Sequence, residues 1–307
     1  MRWVWASLMA VAICAAAGAQ GPPPPGYPAQ QGYPQQQGYP PQQNYPPQQG
    51  YPPQQGYPSQ PPPAMAPQQL DQLVGRIALY PDPLLAQVLT ASTYGNEIPD
   101  AAGWANQHSH LRGDELSRAI YEDNLPFDPS VLALLPFPGV LDMMARDPGW
   151  TQALGNAVLA QRPDVMDAVQ RMREKAMDDG YLESNAQDRV VDNGPGDIEI
   201  LPVNPGYVYV PYYDPAVVFV ARRPGFFVGA GITFGPGIFV GAFAPFGWAG
   251  PVLGWRTHEI LIDHRPWERT WVNRDRYAHS YAVPRVRPVG PRVERHEERR
   301  EVHRERR

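Results

Sequence analysis

Acids, histidines and tyrosines are the residues of this sequence that could do chemistry. Paired acids stand at Asp114-Glu115, Glu122-Asp123 and Asp178-Asp179, and Glu97 lies close to Asp100. Glycan cleavage needs two carboxyl groups across a cleft, one of them with its pKa raised by burial. Glu97 and Asp100 are the candidate catalytic acids for such a reaction, although surface acids at helix ends satisfy the same pattern without chemistry. His108-Ser109-His110, and His258 with His264, are the histidine groupings before the tail. A divalent metal favours imidazoles fixed by further ligands, and neither grouping has a third ligand at helical or hairpin spacing, so no metal and no other cofactor is expected. A Gly-x-Ser-x-Gly elbow and a Gly-x-x-x-x-Gly-Lys-Ser/Thr loop are both missing from the sequence, which removes the usual signatures of a serine hydrolase and a P-loop nucleotidase. Tyr207, Tyr209, Tyr212 and Tyr213 are the candidate binding residues, as a ligand-facing shelf. Strand tyrosines that simply pack with a wet hydroxyl are the alternative.

The elements that must position these residues follow from hydrophobic period. Leu70, Leu73, Val74 and Ile77 mark one buried helical stripe, ended by Tyr80-Pro81. Asp82-Pro83 reads as the N-cap and first-turn proline of a second helix, with Leu85, Val88 and Leu89 inward and Gly95 as its stop. The same opening recurs at Asp128-Pro129 and Asp147-Pro148, so these aspartates read as caps rather than catalytic acids. A helix from Asp164 to about Met177 buries Val165, Ala168, Val169, Met172 and Ala176, pairs Asp167 with Arg171 at i, i+4, and stops before Gly180. After a polar link from Gln187 to Gly196 the period changes to two. Ile198 and Ile200 then read as a hairpin with Val208 and Val210 across Asn204-Pro205-Gly206, with Ala216 to Val220 as a third strand. The fold class expected is α+β, a mainly helical domain followed by a small antiparallel β-sheet.

Three stretches resemble a bacterial family known only as domain of unknown function 3300. They run from Ala78-Leu79-Tyr80-Pro81-Asp82-Pro83 to Ser92-Thr93-Tyr94, from Leu134-Leu135-Pro136-Phe137-Pro138-Gly139 to Met144, and from Tyr207 to Asp214-Pro215. The resemblance covers about residues 68 to 220. It implies a secreted or envelope-associated bacterial protein with a glycine-rich apolar segment after the domain, and it carries no catalytic residues over. Where the family usually follows Ser-Thr-Tyr with Pro, this chain has Gly95.

The flanks are read from composition. Residues 1 to 19 have the layout of a secretory signal peptide, one arginine and a short apolar run before Ala17-Gly18-Ala19, with lipid modification of Cys14 as the rival reading. A chain cut after Ala19 has no thiol, because Cys14 is the single cysteine. That excludes a disulfide scaffold, a cysteine zinc site and a cysteine nucleophile. Residues 20 to 65 repeat Gly-Tyr-Pro-x-Gln-Gln, with Tyr27, Tyr33, Tyr39, Tyr45, Tyr51 and Tyr57 at a period of six. Such a segment has too little aliphatic surface to fold and should be a disordered spacer of polyproline II character. At three residues per turn and about 3.1 Å per residue, its tyrosines would line one face roughly 19 Å apart. They are either a multivalent row for self-association or wall polymer, or a plain spacer.

The folded domain is expected over residues 66 to 220. An irregular, glycine-rich apolar segment follows over 221 to 255, with Gly-x-x-x-Gly hexads beginning at Gly225, Gly231 and Gly237. It suits a membrane-associated helix that packs closely on a neighbour, an irregular cover for the domain, or glycine-rich strands. Residues 256 to 307 form an arginine-rich tail of net charge +5, against −10 for the rest. Lipid, a cell-wall polymer or another copy of the chain are the expected partners; nucleic acid is not, since glutamates are interleaved among the arginines. The function expected is a non-enzymatic interaction or scaffolding role at a membrane or wall, in an exported envelope protein of the periplasm. The alternative is an envelope hydrolase acting on peptidoglycan or another glycan.

Overall fold

The computed structural model describes residues 60–220 and 231–277. The signal segment, the tyrosine repeats, the hexad begun by Gly225 and the end of the arginine-rich tail lie outside the described residues. Seven helices come first: α1 (Pro67–Val74), α2 (Asp82–Ser92), α3 (Ile98–Gln107), α4 (Gly113–Glu122), α5 (Pro129–Leu132), α6 (Pro138–Arg146) and α7 (Pro148–Asp178). Strands β1 (Asp188–Asp192), β2 (Ile198–Pro202), β3 (Tyr207–Val208) and β4 (Pro211–Tyr213) follow, then a short helix α8 (Pro215–Val218). Strands β5 (Ile232–Phe234), β6 (Ile238–Phe239), β7 (Val252–Gly254), β8 (Glu259–Ile262) and β9 (Arg265–Pro266) complete the described chain, with a 3-10 helix at Gly241–Phe246. The fold is therefore mainly helical, with small antiparallel sheets after the helices.

Two of the three expected aspartate caps form. Asp128 accepts from Ser130 N at 2.9 Å and Asp147 from Trp150 N at 3.0 Å. Asp82 does not cap α2, which Pro81 precedes; its carboxylate turns into the core. There Oδ1 accepts from Arg173 Nη1 at 2.6 Å and Ile200 N at 3.3 Å, and Oδ2 accepts from Trp255 Nε1 at 2.9 Å. Arg173 is 0% exposed and donates also to the carbonyls of Ala78, Tyr80 and Ile198 at 2.7–2.9 Å, while its guanidinium stacks on Trp255. The Ala78 to Pro83 motif is thus wound around an arginine from α7. Arg171 likewise leaves Asp167 aside and pairs with Asp71 of α1 at 2.6 Å, whereas Asp167 bonds His258 at 2.8 Å.

Helix α7 bends because Pro163 has no N–H to give to the carbonyl four residues back. Gln161 carries the break, at φ −146°, ψ 48°, and the freed Leu159 carbonyl accepts from Trp271 N at 2.8 Å. The second half of α7 is the helix expected from Asp164, and it ends where Gly180 takes φ +76°. Nearer its start, α7 presses on the end of α2. A Cβ at Gly155 would stand 2.1 Å from the Ser92 carbonyl oxygen, backbone that cannot step aside. Gly155→Ala should therefore lower stability by about 1–3 kcal/mol, even though alanine is the better helix former. Thermal unfolding checks this: a melting temperature at or above that of the parent would show that the helices do not meet there.

The sheet arrangement departs from the expected hairpin. Ile198 and Ile200 pair with β1, which occupies the expected polar link, in the register Val190 with Ile200. Asn204-Pro205-Gly206 instead leads from β2 into β3, which pairs with β6, while β4 pairs with β5. The expected third strand is α8, capped by Asp214 on Ala216 N at 2.8 Å. Among the described residues no helix is long and apolar enough to cross a membrane.

From residue 231 onward the glycine-rich segment folds against the domain, burying Val240, Phe243, Phe246, Trp248, Leu253 and Trp255. Its glycine spacing is used for aromatic rings. A Cβ at Gly231 would stand 2.8 Å from the Tyr181 ring, at Gly235 3.1 Å from Tyr212, at Gly237 2.7 Å from Tyr209 and at Gly241 2.6 Å from Phe239. The bare backbone of each glycine is a seat for an aromatic face.

Candidate functional site

A cleft of about 440 Å³ opens where these ring-on-glycine contacts meet the helices. Strand pairing places Tyr207 opposite Phe239, with ring centroids 5.5 Å apart, and Tyr212 opposite Thr233. Both tyrosines are exposed and line the cleft together with the Gly235-Pro236-Gly237 turn. Buried Phe137, Val210 and Phe243 form its floor. The opposite rim comes from the end of α3 and the loop after it, with His108, Ser109 and Arg112, and from Pro136, Pro138 and Gly139 ahead of and within α6.

The polar groups here are few and fixed. His108 Nδ1 donates to the Trp104 carbonyl at 2.9 Å while its ring stacks on the indole at 4.0 Å, and Nε2 lies 3.9 Å from the Asp123 carboxylate. Arg112 is held by the carbonyls of Ser109 and Leu111. Among the described residues no hydrogen bond engages the hydroxyl of Tyr207 or Tyr212. Aromatic faces with a few convergent polar groups are the usual chemistry of a binding pocket, and the volume lies within the common range of roughly 300–1,000 Å³. Among the described residues no carboxylate lines the cleft.

The tyrosine shelf expected from the sequence divides. Tyr207 and Tyr212 face the cleft; Tyr209 lies on Gly237 outside it. Tyr213 points inward, its hydroxyl accepting from Leu79 N at 3.2 Å and its ring meeting Phe219 edge-on, and burial pushes its phenol well above the ordinary value. Glu97 accepts from Asp128 N at 2.6 Å, supporting the start of α5, and Asp100 is exposed in the first turn of α3. Neither lines the cleft. Among the described residues no group of three histidine, cysteine or acidic side chains is placed to hold a metal ion.

One acid with unusual surroundings has no signal in the sequence. Asp188, at the start of β1, is 3% exposed, its Oδ1 has no hydrogen-bond partner among the described residues, and it lines a second space of about 120 Å³ with Leu79, Tyr181, Glu183, Ile200 and Phe234. Burial pushes its carboxyl up to about 7, against the pull of Arg173.

Comparison with known proteins adds a family without an activity. The family model described as "Protein of unknown function (DUF3300)" matches residues 66–287. The uncharacterized protein YacH of Escherichia coli (strain K12) is 36% identical over 187 residues, covering 51% of this chain and 30% of YacH. The chain thus spans less than a third of that relative's length. No solved structure matches it.

Proposed function

Because the chain belongs to the DUF3300 family of proteins of unknown function, whose description supplies no reaction, we propose a function from the cleft itself: a non-enzymatic binding module of an exported envelope protein. The observation that carries this reading is a 440 Å³ cleft lined by Tyr207, Tyr212, Phe239 and prolines with no carboxylate among its lining residues. Such a site has stacking faces and a few polar groups, and among its described lining residues no pair of carboxyl groups of the kind glycan cleavage uses. A scaffolding role needs nothing more than this surface and its tails.

The hydrolase reading has one observation in its favour, the raised carboxyl of Asp188 beside Glu183 in the smaller space. Complementation of a deletion strain of the native host separates the two. Tyr212→Ala combined with Phe239→Ala should lose function at normal protein abundance, whereas Glu97→Gln, Asp100→Asn and Asp188→Asn should retain it. Loss of function in Asp188→Asn at normal abundance, with the cleft variant active, would replace the binding module with the hydrolase.

A further inference from the structure

We infer that the space around Asp188 is a binding site for a short primary ammonium cation, separate from the cleft. Antiparallel pairing sets Pro211 of β4 opposite Phe234 of β5, and Tyr212 opposite Thr233. Side chains alternate between the two faces of a strand, so Pro211 and Phe234 line the space around Asp188 while Tyr212, on the other face, lines the cleft. The two sites stand back to back on one ribbon. Among the described residues they share no lining residue.

The surroundings of the acid select the ligand. Asp188 is 3% exposed and its Oδ1 has no hydrogen-bond partner among the described residues. A buried carboxyl without a partner costs stability, and a ligand that donates to it removes that cost. Arg173, whose charge reaches Asp188, is itself paired with Asp82 at 2.6 Å and engaged by three backbone carbonyls. It does not supply the missing contact. The other titratable residues lining the space are Tyr181 and Glu183, whereas β2, β4 and β5 contribute Ile200, Pro211, Ile232 and Phe234, which carry no charge. A calcium ion takes roughly six to eight oxygens, and among the described residues no group of three histidine, cysteine or acidic side chains is placed to hold a metal. An ammonium head needs less: one carboxylate for a charge-assisted bond, and an aromatic or apolar wall beside it. Tyr181, its ring seated on Gly231, and Phe234 supply that wall. At about 30 Å³ for each water, the 120 Å³ space has room for about four water-sized groups, which admits an ammonium with a short carbon chain and nothing bulkier.

The test uses the full mature chain with heavy carbon at its aspartate carboxyls, read by NMR across a pH series. The resonance missing from Asp188→Asn is that of Asp188. Alone it should titrate at about 7. Ethylammonium keeps its own proton throughout such a series, as a lysine does with a pKa near about 10.4, and a ligand that prefers the ionised carboxyl pulls its midpoint down. In about 0.1 M ethylammonium chloride the midpoint should fall by about one pH unit, a tenfold preference for the ionised form. Ethanol has the chain without the charge, and sodium or potassium chloride the charge without the chain; each should leave the midpoint in place. Phosphoethanolamine, standing for a lipid headgroup, and an N-acetyl-lysine amide, standing for a protein side chain, should act more weakly than the free amine. An equal fall in either salt would overturn the proposal, as would a midpoint that ethylammonium does not move, or one already near about 3.9 in the protein alone. A stronger effect from the headgroup or the lysine amide would overturn the free amine as the occupant.

Discussion

Asp82→Asn should cost about 3–5 kcal/mol, most of the stability margin of an ordinary domain. The reason is the partner left behind. Arg173 is 0% exposed and pairs with the Asp82 carboxylate at 2.6 Å. Burial pushes the Asp82 carboxyl up, and the Arg173 guanidinium and the Trp255 indole pull it back down. An amide keeps the shape and removes the charge, so the guanidinium keeps its carbonyls and the Trp255 face but loses the carboxylate in direct contact with it. Arg173→Met should be as damaging by another route, because it frees the carbonyls of Ala78, Tyr80 and Ile198 together. Urea unfolding measures both, and the double variant should lose less than the two single losses combined, since the sites share one interaction. A loss under about 1 kcal/mol for Asp82→Asn would show that the pair contributes no more than a surface bridge.

Asp188→Asn should act in the opposite direction, and only above acidic pH. The folded carboxyl is pushed up to about 7, while an unfolded aspartate titrates near about 3.9. Between those values the folded state holds a proton that the unfolded state has lost, so stability falls as pH rises across the window. At 1.36 kcal/mol per pKa unit the full penalty at pH 8 is at most about 4 kcal/mol. Asparagine has no charge to desolvate. The variant should match the parent near pH 4 and exceed it by about 2–4 kcal/mol at pH 8, read by urea unfolding at the two pH values. Parallel curves for the two proteins would mean that Asp188 is solvated or paired in solution. A stabilised variant that also failed to complement would mark Asp188 as a residue kept for chemistry at the expense of stability.

The helical half of the fold is legible in the sequence because amphipathic period and local caps are short-range signals. Leu70, Leu73 and Val74 are buried as their spacing demands, and Asp128 and Asp147 cap the helices that follow them. Asp82 has the same local pattern and a different fate, because its partner lies 91 residues away in Arg173. A faint signal existed there: Arg173 follows Val169 by four residues and precedes Ala176 by three, so it sits on the buried stripe of its own helix. The strands were harder. Their pairing partners β5 and β6 come from the glycine-rich segment, where four-residue glycine spacing suits close helix packing and ring seating alike. Tyr207 and Tyr212 were found as strand tyrosines, but His108, Arg112 and Pro136 join them only in space. Asp188 falls in the stretch that reads as a polar link, and its burial comes from residues distant in sequence such as Leu79 and Phe234.

The bend of α7 gathers both ends of the folded unit. Gln161 grips Met65, and its neighbours hold the other end: the Leu159 carbonyl accepts from Trp271 N, and Arg162 donates to the carbonyls of Trp267 and Arg269.

 Tension arriving through the N-terminal spacer and leaving through the C-terminal tail would therefore pass from one grip to the other across a few residues of one helix. In a protein pulled at both ends, those grips on α7 would take the strain first.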